Sequence, residues 1–60
     1  MWEIWVASED GYNEHDARWK PFFSRALAEE VVERVRRHWE EDLGEENVWP
    51  YVRKRRWRGG

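Results

Sequence analysis

The chain has sixty residues, 40% of them charged and none of them cysteine. That excludes disulfides and thiolate zinc sites, and no apolar run approaches the roughly 20 residues of a membrane-spanning helix. A domain this short buries only about 60% of the surface its unfolded chain exposes, so no enzyme pocket, small-molecule substrate or cofactor is expected. The net charge of −2 hides a division. Residues 1–47 carry 6 basic and 13 acidic groups, a net of −7, whereas residues 48–60 carry Arg53, Lys54, Arg55, Arg56 and Arg58 with no acid, a net of +5.

Residues 2–8 alternate, with Trp2, Ile4 and Val6 on one side and Glu3, Trp5 and Ala7 on the other, which predicts a strand with one apolar face. The start Met1-Trp2-Glu3-Ile4-Trp5 has neither the basic nor the apolar region of a secretory signal. With the missing cysteines, this leads us to expect a cytoplasmic protein. The polar stretch 9–17 contains Gly11 and Asn13 and is predicted to be a hairpin loop. Its Asp10, Asn13, Glu14, His15 and Asp16 offer oxygen and nitrogen ligands, but not at the spacing of a calcium loop, so no metal site is predicted. Residues 18–23, Arg18-Trp19-Lys20-Pro21-Phe22-Phe23, are predicted to form a short second strand.

Ser24 is a suitable helix N-cap and Gly44 a suitable left-handed C-terminal residue, with neither Gly nor Pro between Arg25 and Leu43. At 100° per residue, Leu27, Ala28, Val31, Val32, Val35, Trp39 and Leu43 fall on one arc, opposite a face of glutamates and arginines. Glu30–Arg34 and Glu33–Arg37 are favourable i,i+4 pairs. His38 and Asp42, one turn apart, have the chemistry of a base and its orienter. No serine or threonine is placed to join them, and the pair is expected to border the core near the helix C-terminus, where the dipole favours a cation.

Residues 48–57 are predicted to form a third strand with a basic end. Pro21 and Pro50 cannot donate to a ladder and place their strands at edges, so the first strand is central. The predicted fold is α+β of ββαβ type, a three-stranded antiparallel sheet in the order 2-1-3 with one amphipathic helix on one face. The domain covers residues 1–58, with residues 59–60 a flexible diglycine tail.

One helix covers one face of such a sheet. The third strand is apolar on both sides, through Val48, Pro50 and Val52 or through Trp49, Tyr51 and Trp57. Either phase leaves large apolar groups on the open face, and a contiguous patch of that kind marks an interface. The predicted contact residues are Trp5, Trp49, Tyr51 and Trp57, with Arg53, Arg55 and Arg56 steering acidic partners. Trp, Tyr and Arg are the residue types that anchor protein interfaces, so the leading expectation is a non-catalytic binding protein, and a homodimer through the same face is its simplest form. Alternating aromatic and basic residues also suit single-stranded nucleic acid, by stacking and phosphate contact. The Arg58-Gly59-Gly60 end resembles that of ubiquitin-like modifiers, which this chain departs from in having one predicted strand after the helix instead of two or more.

The segments Trp5-Val6-Ala7-Ser8 and Phe22-Phe23-Ser24-Arg25-Ala26-Leu27-Ala28-Glu29-Glu30 carry a further resemblance. Over residues 2–35 the chain resembles small single-domain proteins of bacteriophage and prophage genomes, whose function is unassigned. That resemblance implies the same strand–hairpin–strand–helix order and favours a binding or inhibitory protein over an enzyme.

Overall fold

The computed structural model describes residues 1–55. Strand β1 (Trp2–Ser8) is followed by β2 (Asn13–His15), helix α1 (Arg25–Arg37), a π turn (His38–Asp42) and strand β3 (Val48–Lys54). The sheet is antiparallel in the order β2-β1-β3 and the helix lies on one side of it, which is the expected ββαβ arrangement.

The second strand is not where the sequence places it. The chain reverses over Glu9, Asp10 and Gly11: the Gly11 N–H donates to the Ser8 carbonyl at 3.1 Å, and the Ser8 N–H donates to the Tyr12 carbonyl at 2.9 Å. Gly11 takes φ +88°, a left-handed conformation that closes a three-residue hairpin. Pairing therefore resumes at once, and Ala7, Val6 and Trp5 face Asn13, Glu14 and His15. Asp16 then ends the strand. Its carboxylate accepts from the Arg18 N–H at 3.1 Å, and its carbonyl accepts from the Trp19 N–H at 3.2 Å. Of the predicted strand 18–23, Phe22 alone meets the sheet, through two 2.8 Å bonds with Trp2. Trp19 and Phe22 are half-buried at the flank of the fold, whereas Phe23 is exposed.

The Ser24 hydroxyl caps the helix by accepting from the Leu27 N–H at 3.3 Å. Gly44, at φ +66°, reverses the chain at the other end. There the Glu45 N–H reaches the Trp39 carbonyl at 2.8 Å, one residue further back than in a helix with an α-helical last turn, because the π turn is wider. Ala28 is fully buried and its single methyl lets the helix approach the sheet closely. Beneath it Ile4 is fully buried and Pro50 is buried; the Ile4 side chain contributes about 2–3 kcal/mol of apolar burial. Val31, Val32, Val35 and Trp39 are half-buried, as the predicted arc implies. Leu27 and Leu43, at the two ends of that arc, are exposed.

Candidate functional site

Directly opposed residues of antiparallel strands point to the same face, so the register fixes the phase that the sequence left open. Trp2, Ile4 and Val6 pair with Lys54, Val52 and Pro50 on the helix side. The helix-free face carries Glu3, Trp5 and Ala7 from β1, Arg53, Tyr51 and Trp49 from β3, and His15 and Asn13 from β2. Trp5, Trp49, Tyr51 and Arg53 are thus brought together as predicted. Arg55 follows them and joins Glu3, Trp5, Arg53 and Lys54 around a shallow groove at one end of the face. Arg56 and Trp57, together with Arg58-Gly59-Gly60, lie outside the described residues.

The face is partly occupied by its own side chains. The Arg53 guanidinium carbon lies 4.3 Å from the centre of the Trp5 ring, a cation–π contact that covers the indole. The Tyr51 hydroxyl donates to Asn13 Oδ1 at 2.5 Å. These residues belong to the two outer strands, so the Tyr51 side chain crosses β1, and Ala7, adjacent on that face, leaves the room. Trp5 Nε1 donates to Glu3 Oε1 at 3.4 Å, and the His15 ring lies 5.8 Å from the Trp5 ring. Glu3 Oε2 lies 3.4 Å from His15 Nε2. That nitrogen has no aligned hydrogen-bond partner, so the contact is not a hydrogen bond. Trp49 is different. It is 41% exposed, and among the described residues it is the one large apolar side chain within a strand to be so exposed.

Sequence reasoning put Glu3 on the side of Trp5 without giving it a role, and missed Asn13 and His15 as members of this face. The Gly11 turn is the signal that finds them: a three-residue hairpin after Ser8 sends Asn13 and His15 back beside β1. The same placement takes Asn13 and His15 out of a polar loop tip and puts them over the sheet. Among the described residues no group of three or more His, Cys, Asp or Glu is arranged to hold a metal ion.

Asp16 is buried and held by Arg18, with Nε to Oδ1 at 3.0 Å and Nη2 to Oδ2 at 2.8 Å. That guanidinium keeps the Asp16 carboxyl below its ordinary pKa, against the opposing effect of burial, and Asp16 in turn raises Arg18. On the helix surface Glu33 pairs with Arg36, not chiefly with the expected Arg37, at 2.5 Å against 4.0 Å; the Arg36 bonds lower the Glu33 pKa. His38 and Asp42 do form a pair, Nδ1 to Oδ2 at 2.6 Å, but with side chains 57% and 65% exposed. They do not border the core as expected, because the π turn that carries them projects them into solvent. His38 lines an open groove with Arg18, Trp19, Arg34 and Val35.

The chain is acidic at one end and basic at the other. The Glu9 N–H donates to the Asn47 carbonyl at 3.1 Å, which draws Glu45 and Glu46 to the hairpin turn with Glu9 and Asp10, beside the helix end with Glu40, Glu41 and Asp42. At the opposite end the Arg55 N–H donates to the Met1 carbonyl at 2.8 Å, and the Arg25 guanidinium lies 5.2 Å from the Trp2 ring centre. Arg53, Lys54 and Arg55 project there. No helix among the described residues is long and apolar enough to cross a membrane.

Comparison with known proteins gives no match: no family model, no curated protein and no solved structure is similar to the chain.

Proposed function

We infer that the chain is a non-catalytic interaction module that binds another protein through the helix-free face of its sheet. The observation that carries this reading is the side-by-side placement of Trp5, Tyr51, Trp49 and Arg53 on the face that no other element of the described chain covers. Interface anchors are drawn from these residue types because large rigid aromatics bury area at little entropic cost, and arginine adds planar charge. Tyr51 and Trp5 are held in place by Asn13 and Arg53, so little side-chain freedom is lost on contact. Arg53 and Arg55 favour an acidic partner surface. A small phage- or prophage-type binding protein with a cytoplasmic location would fit this reading.

Capture from extracts of the source cell tests the reading. Wild-type protein is expected to retain a partner that a Trp49→Ala, Arg53→Ala double variant releases, while a Glu30→Ala variant on the far side of the helix retains it. Equal retention by all three proteins overturns the assignment of the face.

Single-stranded nucleic acid is the second reading, favoured by the arginines that share the face with Trp5 and Tyr51. Stacking on Trp5 requires Arg53 to leave the ring. Titration with short oligonucleotides at two salt concentrations decides it, because phosphate contacts weaken steeply with salt. No binding at low salt removes it.

A further inference from the structure

The ladder shows which main-chain groups of β3 are already used. The Arg55 N–H donates to Met1 of the β1 side. Successive residues of a strand turn their N–H and C=O to opposite sides, so Arg53, Tyr51 and Trp49 also face β1, and Val48, Pro50, Val52 and Lys54 face outward. The same alternation on β1 agrees: the Ile4 carbonyl accepts from Asp16, and the Ser8 N–H donates to Tyr12, both on the β2 side. β3 is an edge strand. Its outer side carries donors at Val48, Val52 and Lys54 and acceptors at all four positions, with Pro50 placing its missing donor where the β1 ladder loses nothing.

Two further observations bear on what fits this edge. Trp49, the exposed aromatic of the sheet, stands on β3 itself. The strand also runs from the acidic end of the molecule, next to Glu45 and Glu46, to the basic end at Lys54 and Arg55. An added strand that is antiparallel and carries the same polarity meets opposite charge along its whole length.

We propose that a second copy of this chain occupies the edge, β3 against β3 and antiparallel, with Val48 of each copy opposite Lys54 of the other and Pro50 opposite Val52. This register makes about six main-chain bonds, because Pro50 accepts from Val52 and the Val48–Lys54 pair bonds in both directions. Sliding by two residues one way sets proline against proline; sliding the other way leaves Val48 without a described partner. On the open face the two Tyr51 backbone positions flank the twofold axis, with their side chains leaning away over β1, and each Trp49 stands opposite an Arg53 position of the other copy. The Lys54–Arg55 end of each strand lies beside Glu45 and Glu46 of the other. The result is an isologous interface that joins two three-stranded sheets into one of six strands, with both helices on the covered side and both open faces left free. The contact is the edge, so the inference stands or falls separately from the open-face reading.

The chain is short enough for chemical synthesis, and N-methylation of Val52 removes one outward donor while leaving every bond to β1. Sedimentation equilibrium from micromolar to millimolar concentration is expected to show a dimer for the unmodified chain. The N-methylated chain should dimerise about tenfold more weakly or worse. Amide exchange at Val52 and Lys54 should slow as concentration rises, while the Arg53 amide, already facing β1, does not change. If the N-methylated chain fails to fold by circular dichroism, Trp49→Arg, which sets like charges opposite at Arg53, replaces it with the same expected weakening. A chain that stays monomeric at millimolar concentration overturns the proposal. So does a dimer that neither modification weakens and whose edge amides stay unprotected, since that dimer uses another surface.

Discussion

Replacing Asp16 with alanine removes three bonds at once: the main-chain N–H of Arg18 at 3.1 Å and the two guanidinium contacts at 3.0 and 2.8 Å. The main-chain bond closes the turn that ends β2 and contributes about 1 kcal/mol net. The guanidinium contacts are asymmetric, since the Asp16 side chain is 6% exposed and that of Arg18 is 70% exposed. Water screens such a pair, so it adds about 0.5–1 kcal/mol. Asp16→Ala should therefore cost about 2 kcal/mol, and for a domain of this size about 10 °C in Tm. Asp16→Asn keeps an acceptor for the Arg18 N–H and should lose about half as much.

Thermal unfolding followed by tryptophan fluorescence and circular dichroism reads both variants, and a pH series adds a second check. The Asp16 pKa is lowered in the folded chain, so its contribution is fully present above the ordinary value of 3.8 and is lost as pH falls through the lower folded value. Wild type should thus lose stability on acidification more steeply than Asp16→Asn in that window, and the two curves should converge once Asp16 is protonated. Glu33, whose pKa is also lowered by its arginine partner, is common to both proteins and cancels. An alanine variant with the wild-type Tm at pH 7, or parallel acid limbs for wild type and asparagine variant, refutes this account of the turn.

Gly11→Ala meets no atom within 4 Å of the added methyl, yet must hold φ +88°; the strain should lower stability by about 1–2 kcal/mol, measurable by urea denaturation. Ile4→Ala empties the centre of a small core and should cost about 2–5 kcal/mol, enough in a domain of marginal stability to broaden or abolish the thermal transition. Tyr51→Phe and Asn13→Ala, combined in a double-mutant cycle of denaturation midpoints, should give a coupling of about 0.5–1 kcal/mol; additive losses would mean that the hydroxyl bond across β1 contributes nothing.

The elements legible in the sequence are those whose signals are local. Ser24 and Gly44 bound the helix because a side-chain oxygen and a left-handed residue act within one turn of their own position. The Trp2-Ile4-Val6 phase of β1 follows from alternation with a single apolar side. β2 was not legible by composition: Asn13-Glu14-His15 is polar, while the aromatic run 18–23 has the look of a strand. Turn chemistry overrode propensity there. Once Gly11 closes a three-residue turn, the next residues are committed to pairing with β1, and Asp16 stops them by capturing Arg18. Downstream, Trp19 and Phe22 are then half-buried at the flank and Phe23 is left exposed.

The candidate site was legible in its membership and not in its state. Both sides of β3 are apolar, so its phase is decided by the register with β1, a contact between residues forty or more positions apart that no local pattern encodes. The covering of Trp5 by Arg53, and the crossing of β1 by Tyr51, depend in turn on that register. They change what the basic residues mean. In the sequence, Arg53 is a free cation available for an acidic partner; in the fold it is already spent in part on Trp5, and a ligand that takes it must replace that contact. Free contact capacity on the sheet therefore moves from its centre to Trp49 and the outward groups of β3, which lie at the edge, where charge polarity and an unpaired ladder coincide.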